Sequence, residues 1–507
     1  MFGTHFNSAG NSLPAQESGW TRRFLYFLST VFCLRLLILI FSPLDLSGDE
    51  AYYWDWGRHL ALGYYSKPPL IGWLMAFSGW VGNDTTLGVR IWALFLGTGT
   101  ISLIFLFTRH LFSARAGFIA AVILALSPAN AALNIIITID PPLLFAWSLA
   151  LFASWLFLNA AKWSYSQMLF IICGLGLGVL SKQMMLVFPL LVGLFCLLEP
   201  SKRHWLKHPG SWLLAFSILL FLLPPLWWNY QNDWITFKHT SSHFNADPVT
   251  LAKRIGRFFE FIGSQLGLLS PVTYGLILSV LYLALRRWSS LLAKERYLLV
   301  LSVPGIVVFF VLALIQRALP NWPAVFYPAS IVLLAGWLSG ELSFQKVPQP
   351  KLFKWAAGWG FGLMAVLYCL VFFSPLLPLQ RDAVERVRGW SAYGETVARI
   401  DDAVFGNEAH FYLITGHRYN ASQLAFNHPK QPFVYRWNPS DEVHSQFEIW
   451  PGPESAAEKK ALIVVPGGQS ALPDLSALFT SVEFIEEIHV PITPHSHRVF
   501  ALYKGLR

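Results

Sequence analysis

Two adjacent acidic residues, Asp49 and Glu50, follow the first long apolar run of the chain, in the sequence DLSGDEAYYW. A carboxylate at the edge of an apolar region, beside aromatic side chains, can act as a general base that takes a proton from an attacking hydroxyl or amine. The alternative interpretation is that the two acids only cap the exposed end of the apolar segment. The pair is therefore a first candidate for catalysis.

Another carboxylate and two lysines occupy other breaks in the apolar sequence. Asp140, in NIIITIDPPLLFAW, is a second acid for the site or the N-cap of a helix that begins at the following proline. Lys67, in YYSKPPL, offers a phosphate a charge without fixed bidentate geometry, or it snorkels to lipid headgroups. Lys182, in VLSKQMM, lines a cavity near membrane depth or belongs to an interfacial turn.

A basic and histidine-containing segment lies between residues 230 and 260. Its cations suit the headgroup of an anionic lipid carrier, or they are the charges of an ordinary soluble loop. These cations are Lys238, Lys253, Arg254 and Arg257. His239 and His243 are four residues apart and would share one face of a helix, which makes them candidate metal ligands.

The elements that must position these residues are membrane spans. Of the 507 residues 55% are hydrophobic and only 13% charged, against about 25% charged in soluble domains. Apolar runs of spanning length, about 20 residues, recur from residue 24 to residue 374. The net charge of +9 follows from basic loops on the cytoplasmic side, so no nucleic-acid partner is needed to explain it.

The sequence predicts a polytopic α-helical membrane protein with about eleven spans. They are placed near residues 24–43, 87–107, 117–137, 141–160, 167–181, 183–199, 211–229, 261–285, 297–316, 323–340 and 353–374. Residues 1–23 are then a cytoplasmic leader, and residues 24–374 form the transmembrane domain. The Trp- and Tyr-rich first loop, 45–85, is extracytoplasmic and reads as short helices lying on the membrane surface.

The last part of the chain, residues 375–507, differs in composition. Charge density rises, and short apolar segments alternate with helical or loop stretches. The predicted strands are 410–415, 432–436, 461–467 and 498–503. We expect a small extracytoplasmic α/β domain, tethered to the membrane by the last span.

Taken together, these segments resemble the GT-C membrane glycosyltransferases, in particular the bacterial relatives of protein O-mannosyltransferases and of the lipid A aminoarabinose transferase. The motifs that carry the resemblance are DE at 49–50, KPP at 67–69, DPPLLFAW at 140–147, PPLWWNYQNDW around Asn229, SQLGLLSP around Gln265, PNWPAVFYP at 320–328, RYNASQLAF at 418–426 and SQFEIWPG at 445–452. Their order and spacing extend over nearly the whole chain.

The resemblance implies roles for individual residues. Asp49 matches the catalytic base, with Glu50 beside it, and Asp140 matches a second acid of the cavity. Contacts to the donor phosphate are expected from Lys67, Lys182, Arg254 and Arg257. Substrate contacts are expected from Tyr64, Tyr65, Asn229, Gln265 and Asn321.

One position departs from the family pattern. The aminoarabinose transferases carry a metal-binding Glu directly before the lysine of KPP, where this chain has Ser66. This argues against a divalent metal at the site and against aminoarabinose as the transferred sugar, and no other cofactor is expected. The chain also lacks the large lumenal insertion of the eukaryotic mannosyltransferases, which favours a bacterial-type enzyme.

The predicted function is therefore inverting transfer of a sugar from a polyprenyl-phosphate donor to an envelope glycolipid, polysaccharide or protein. The reaction is expected on the outer face of the inner membrane. The alternatives are a membrane transporter or lipid flippase without transferase chemistry, and a non-catalytic assembly subunit. Convergence of Asp49, Lys67 and Asp140 in one extracytoplasmic cavity would favour the enzyme.

Overall fold

The computed structural model describes residues 15–160, 164–242, 250–376, 384–440, 442–494 and 496–507. A helical part precedes a smaller C-terminal domain built on a sheet. The helices of the first part are α1 (Ala15–Phe41), α2 (Gly48–Arg58), α3 (Leu70–Gly82), α4 (Thr86–Leu111), α5 (Ala114–Leu126), α6 (Pro128–Leu133), α7 (Asp140–Asn159), α8 (Tyr165–Ser181), α9 (Val187–Leu198), α10 (Pro209–Gln231), α11 (Ile235–Ser242), α12 (Leu251–Leu269), α13 (Pro271–Arg286), α14 (Ala293–Val300), α15 (Val303–Ile315), α16 (Tyr327–Ser339) and α17 (Pro350–Phe373).

The chain is a multi-pass membrane protein. Within the described ranges, seven helical segments are long and apolar enough to cross a bilayer, and an eighth is added if the bent pair α12–α13 counts as one span. The seven are Glu17–Phe41, Thr86–Leu111, Asp140–Asn159, Pro209–Gln231, Ala293–Ile315, Trp322–Ser339 and Pro350–Leu376. The predicted number of eleven is not confirmed, since helices such as α8 and α9 are shorter than a spanning helix needs.

Two predicted spans are broken. The segment 117–137 is interrupted at Ser127, whose hydroxyl caps α6 by accepting a hydrogen bond from the backbone N–H of Asn130. The segment 261–285 contains the junction of α12 and α13, which meet at an angle of 105°. Ser270 at this junction has a φ of +71°, and Pro271 starts the new helix without a donor N–H. Hydropathy alone does not register either break.

The first loop forms helices, as predicted, and α2 packs against the C-terminal domain. Residues 50–56 of α2 are all buried. One hydrophobic cluster joins Trp54 and Trp56 of α2 to residues of the C-terminal domain, among them Tyr412 and Leu424. The domain therefore covers α2, and the position of the first-loop helices relative to the membrane surface stays a prediction.

The C-terminal domain contains two helices and a five-stranded sheet. Its elements are α18 (Trp390–Val404), β1 (Phe411–Thr415), α19 (Arg418–Asn427), β2 (Val434–Trp437), β3 (Lys460–Pro466), β4 (Ser481–Thr493) and β5 (Ser496–Leu506). The strand order is β2-β1-β3-β5-β4. Strands β2, β1 and β3 are parallel, whereas β5 and β4 add antiparallel pairs. The four predicted strands are present, and β4, in which only two of the 13 residues are buried, is additional.

Helix α19 connects the parallel strands β1 and β2, so its N-terminus lies at the carboxyl end of β1. Open α/β sheets commonly bind ligands at this edge. The helix packs against α2 of the membrane part. Its Gln423 donates a hydrogen bond to the backbone oxygen of Leu46 over 2.7 Å. Nearby, the backbone N–H of Trp390 donates to Asp45 Oδ2 over 2.7 Å.

Candidate active site

Asp49 stands in the first turn of α2 and faces the C-terminal domain. The hydroxyl of Tyr419, in α19, donates a hydrogen bond to Asp49 Oδ1 over 2.8 Å. Burial, together with the negative charge of Asp49, raises the pKa of Tyr419 to about 12, so the phenol keeps its proton. The other oxygen, Oδ2, has no hydrogen-bond donor among the described residues. One oxygen of the predicted base is thus fixed, and the other can accept a proton.

Glu50 points in a different direction and is fully buried. Arg90 of α4 donates to both of its carboxylate oxygens, each over 2.9 Å. The backbone N–H groups of Ile137 and Ser47 donate to them over 3.0 and 2.8 Å. With both oxygens engaged, Glu50 ties α2 to α4, and we assign it a positioning role in place of the predicted catalytic one. Arg90 was not predicted as a partner of Glu50. Its position as a charged residue within an apolar run was the sequence signal that could have indicated this ion pair.

Asp140 is held by two side chains from distant parts of the chain. Lys182, at the end of α8, forms an ion pair with Asp140 Oδ1 at 3.0 Å, and Asn321 donates a hydrogen bond to Oδ2 over 2.6 Å. The N-cap interpretation is wrong, because α7 starts at Asp140 itself, with Ile139 as the N-cap and no side-chain cap. The structure thus brings together three predicted site residues.

Lys67 lies in the loop between α2 and α3, within electrostatic reach of both acids. Burial lowers the pKa of its ammonium to about 8, and the positive charge of Lys182 is the next cause. The carboxylates of Asp49 and Asp140 act in the opposite direction, while Arg418 adds to the lowering. In the described part of the chain the Lys67 ammonium has no ion-pair partner.

Arg418 and Tyr419 were not predicted as site residues. Arg418 starts α19, its carbon Cζ lies 5.2 Å from the ring centre of Tyr52, and it lies 4.8 Å from that of Tyr419. Its Nη2 donates to the Tyr419 hydroxyl over 3.4 Å. The segment RYNASQLAF was part of the family resemblance, but its sequence does not indicate that it contacts α2. A paired cation and phenol just after a buried strand was the available signal.

The two predicted tyrosines next to Lys67 differ in what they contact. Tyr64 is fully buried, stacks on Trp56 with ring centres 4.4 Å apart, and donates its hydroxyl to the backbone oxygen of Trp56 over 3.0 Å. Its side chain shapes the loop and is closed to a substrate, which corrects the prediction. The Tyr65 ring lies 4.7 Å from that of His239, and its backbone N–H donates to Gln446 over 2.7 Å.

Asn229 and Gln265 are also engaged within the fold. Asn229 Oδ1 accepts from the backbone N–H of Thr236 over 3.1 Å and so shapes the turn from α10 to α11. Gln265 donates to the backbone oxygen of Pro320 over 3.0 Å, and its Oε1 accepts from Tyr327 over 2.6 Å. Both side chains are buried. Their predicted substrate contacts are replaced by positioning of the segments around them.

The basic and histidine segment is divided between α11, whose His239 packs against Tyr65 beside Lys67, and α12. Arg254 and Arg257 belong to α12, where Arg254 is exposed, and no contact joins Arg254 to the two acids of the cluster within the described ranges. His239 lies in α11, and His243 falls outside the described residues. The described part of the chain holds no group of three or more His, Cys, Asp and Glu residues fit for a metal ion. Metal independence, inferred from Ser66 beside Lys67, stays a prediction.

The cluster can therefore activate a nucleophile and bind an anion at the same place. Asp49 supplies a base, the Asp140–Lys182–Asn321 group supplies a fixed polar wall, and Lys67 supplies a counter-ion. These residues belong to helix ends or to a loop. Charges also lie within the spanning helices, such as Arg90 of α4, so the case for an enzyme rests on the grouping of a base with an anion-binding cation.

Comparisons with known proteins agree with this assignment. A profile of the family described as dolichyl-phosphate-mannose-protein mannosyltransferase matches residues 66–228. The lipid A galacturonosyltransferase RgtD of Rhizobium johnstonii is 29% identical over 310 residues, which are 60% of this chain. The chain thus matches 63% of the length of that curated relative.

Two solved structures extend the comparison. The crystal structure of ArnT from Cupriavidus metallidurans in the apo state superposes with a TM-score of 0.57 at 16% identity, over 96% of this chain and 98% of that one. This similarity shows a common fold. An oligosaccharyltransferase of Archaeoglobus fulgidus, in complex with zinc and sulfate, gives a TM-score of 0.47 at 14% identity, over 79% of this chain and 62% of that one; the likeness is too low to support an argument.

Proposed function

We propose that this chain, whose sequence and fold are similar to those of the GT-C membrane glycosyltransferases, transfers a sugar from a polyprenyl-phosphate donor to an envelope glycolipid, with inversion at the anomeric carbon. The observation that carries this proposal is the joint placement of Asp49, Lys67 and Asp140, where a base, an unpaired cation and a second acid act on one another. The lipid tail of the donor would lie among the spans, with its headgroup at the cluster.

In this reaction Asp49 removes the proton of the acceptor hydroxyl or amine as that group attacks the anomeric carbon. Tyr419 holds the carboxylate in one orientation through Oδ1, so that Oδ2 faces the acceptor. The leaving group is the polyprenyl phosphate, which gains charge as the glycosidic bond breaks. Lys67 stabilises that charge by direct electrostatic attraction. Asp140, fixed by Lys182 and Asn321, binds sugar hydroxyls.

The name of one relative suggests both the acceptor and the transferred sugar. The match to a lipid A galacturonosyltransferase supports lipid A as the acceptor and a uronic acid as the transferred sugar. Polysaccharide or protein acceptors remain the competing possibilities. We place the N-terminus in the cytoplasm, the protein in the inner membrane and the C-terminal domain outside, because the cluster must meet a glycolipid acceptor there.

The central test is Asp49→Asn in protein reconstituted with a polyprenyl-phosphate sugar and lipid A. Loss of the base should lower the turnover number by about 10²- to 10⁴-fold, while the amount of protein in the membrane and its thermal unfolding stay unchanged. Asp402→Asn is a matched control, since Asp402 is an exposed carboxylate of the C-terminal domain. Turnover of the Asp49 variant close to that of the unaltered protein would refute the base assignment.

The acceptor is tested in cells. Mass spectrometry of envelope glycolipids from strains with and without the gene should show lipid A species that lack one sugar residue in the deletion strain. Unchanged lipid A together with a missing sugar on another glycan or on a protein would move the acceptor to that class.

A further inference from the structure

We propose that Arg418, supplied by the C-terminal domain, binds the carboxylate of the transferred sugar and so makes the enzyme selective for a uronic acid. This inference rests on the proposed function, which it deepens by assigning the residue that recognises the sugar. It is carried by the geometry around Arg418, whose guanidinium has an unused hydrogen-bond donor close to the proposed base.

Three cations and two carboxylates of the described residues act on one another in the cluster. Lys182 is neutralised by Asp140 at 3.0 Å, and Asp49 is held by an uncharged phenol. Lys67 and Arg418 form no ion pair within the described residues. A polyprenyl-phosphate headgroup brings one anion, for which Lys67 is placed. The charges of Arg418 and Asp49 offset each other without an ion pair between them, which leaves the hydrogen-bond donors of the guanidinium for an anionic group of the substrate.

The guanidinium of Arg418 has a free hydrogen-bond donor and is held in place by aromatic rings, as an anion-binding group would be. Its Nε is buried and has no hydrogen-bond acceptor among the described residues. A buried donor without a partner costs free energy, which a bound anion would recover. Its place at the first residue of α19 adds to this cost, because a cation is disfavoured at the positive end of a helix. The rings of Tyr52 and Tyr419 hold the planar group in position.

The position of Arg418 relative to the base decides which anion it meets. Inversion requires that the attacking group and the leaving phosphate lie on opposite sides of the anomeric carbon. Arg418 contacts Tyr419, which in turn contacts Asp49, so it lies on the side of the base. The leaving phosphate lies on the other side. An anion on the sugar ring is therefore the group within its reach, and a guanidinium suits a planar carboxylate by bidentate pairing.

The experiment compares two donors that differ only in this group, polyprenyl-phosphate galacturonic acid and polyprenyl-phosphate galactose, with lipid A as acceptor. Arg418→Gln should lower kcat/KM for the uronic acid donor by about 100-fold, since a charge-assisted hydrogen-bonded pair is lost, and for the hexose donor by less than about 5-fold. Arg418→Lys should recover part of the difference. Arg399→Gln, at an exposed arginine of the same domain, is the control and should leave both donors unaffected.

Other outcomes overturn the proposal. An equal loss with both donors would mean that Arg418 only positions Tyr419 and Asp49. An unchanged ratio without loss would show that the sugar carboxylate is bound elsewhere. A loss that disappears with dephosphorylated lipid A would assign Arg418 to an acceptor phosphate instead.

A binding measurement separates this proposal from the proposed function. Calorimetry with galacturonic acid 1-phosphate and galactose 1-phosphate should show a preference for the former that Arg418→Gln removes. If the unaltered protein transfers no sugar from either donor but shows this preference, the transfer reaction is refuted and the Arg418 site stands. If the unaltered protein transfers sugar but shows no preference, the transfer reaction stands and the Arg418 site is refuted.

Discussion

At the scale of single residues, the cluster is an assembly of groups whose roles depend on their partners. Asp49 and Glu50 are neighbours in sequence, but one faces a phenol and the other a buried arginine. Residue type and position therefore predicted the pair without distinguishing the two roles. Asp140, Lys182 and Asn321 were all predicted, and Asp140 contacts both of the others.

Lys67 leads to a prediction about pH. Its ammonium, with a pKa lowered to about 8, is charged below that pH and loses its charge as the pH rises through it. The KM for the donor should therefore rise above about pH 8, because the phosphate loses its counter-ion. In Lys67→Arg the cation persists, since an arginine keeps its proton far above this range, and the rise should be absent. The measurement is the donor KM between pH 6.5 and 9.5.

The same pH series has its own control. Lys430→Arg changes an exposed lysine of the C-terminal domain and should leave the profile of the unaltered protein in place. A donor KM that rises equally in the Lys67→Arg variant would assign the titrating group elsewhere.

At the scale of elements, the first turn of α2 explains why two adjacent acids diverge. Ser47 and Glu50 form a capping box, in which each side chain bonds the backbone N–H of the other. Successive residues of a helix point about 100° apart, so Asp49 is turned toward α19. The helix boundaries themselves were partly predictable from apolar periodicity. The breaks at Ser127 and Ser270 were not, because they depend on local capping and on a positive φ.

Gly48 provides a test of the contact between α2 and α19. A Cβ at this position would lie 2.4 Å from the ring carbon Cγ of Tyr419, so Gly48→Ala must displace the tyrosine. We expect kcat to fall about 10-fold or more as Asp49 loses its fixed orientation. The measurement is turnover at saturating donor, with thermal unfolding to show that the fold persists.

A double variant makes this prediction specific. Tyr419→Ala removes the ring, so adding Gly48→Ala to it should cost little more activity, and the two effects should be non-additive. Gly256→Ala, where a Cβ meets open space, is the matched control. Full additivity of the two substitutions would contradict the proposed contact.

At the scale of the whole molecule, the sequence predicted two parts but not that they share a site. The strands and the spans are local patterns, readable from hydropathy and alternation. Residues 49 and 419 contact each other although most of the chain lies between them in sequence. No local sequence pattern indicates such a contact. The prediction of a tethered appendage is therefore extended by the structure, in which α18 and α19 pack on the first loop through Asp45, Leu46 and the shared hydrophobic cluster.

Asp45 tests this packing without touching the catalytic residues. Asp45→Ala removes the acceptor for the backbone N–H of Trp390 and for the Ser391 hydroxyl. We expect faster hydrogen exchange in α2 and α19 and a several-fold lower kcat. Asp474→Ala, an exposed acid elsewhere in the domain, should alter neither. Unchanged exchange in α19 would show that this contact does not seat the domain.

The hydrogen bond between Tyr419 and Asp49 also dictates the order in which the protein becomes competent during its synthesis. The ribosome adds the tyrosine long after the acid has been inserted, so every shorter nascent chain carries an unguided carboxylate. On the proposed function, such intermediates would be inactive, and transfer would begin only once the last domain has folded against α2.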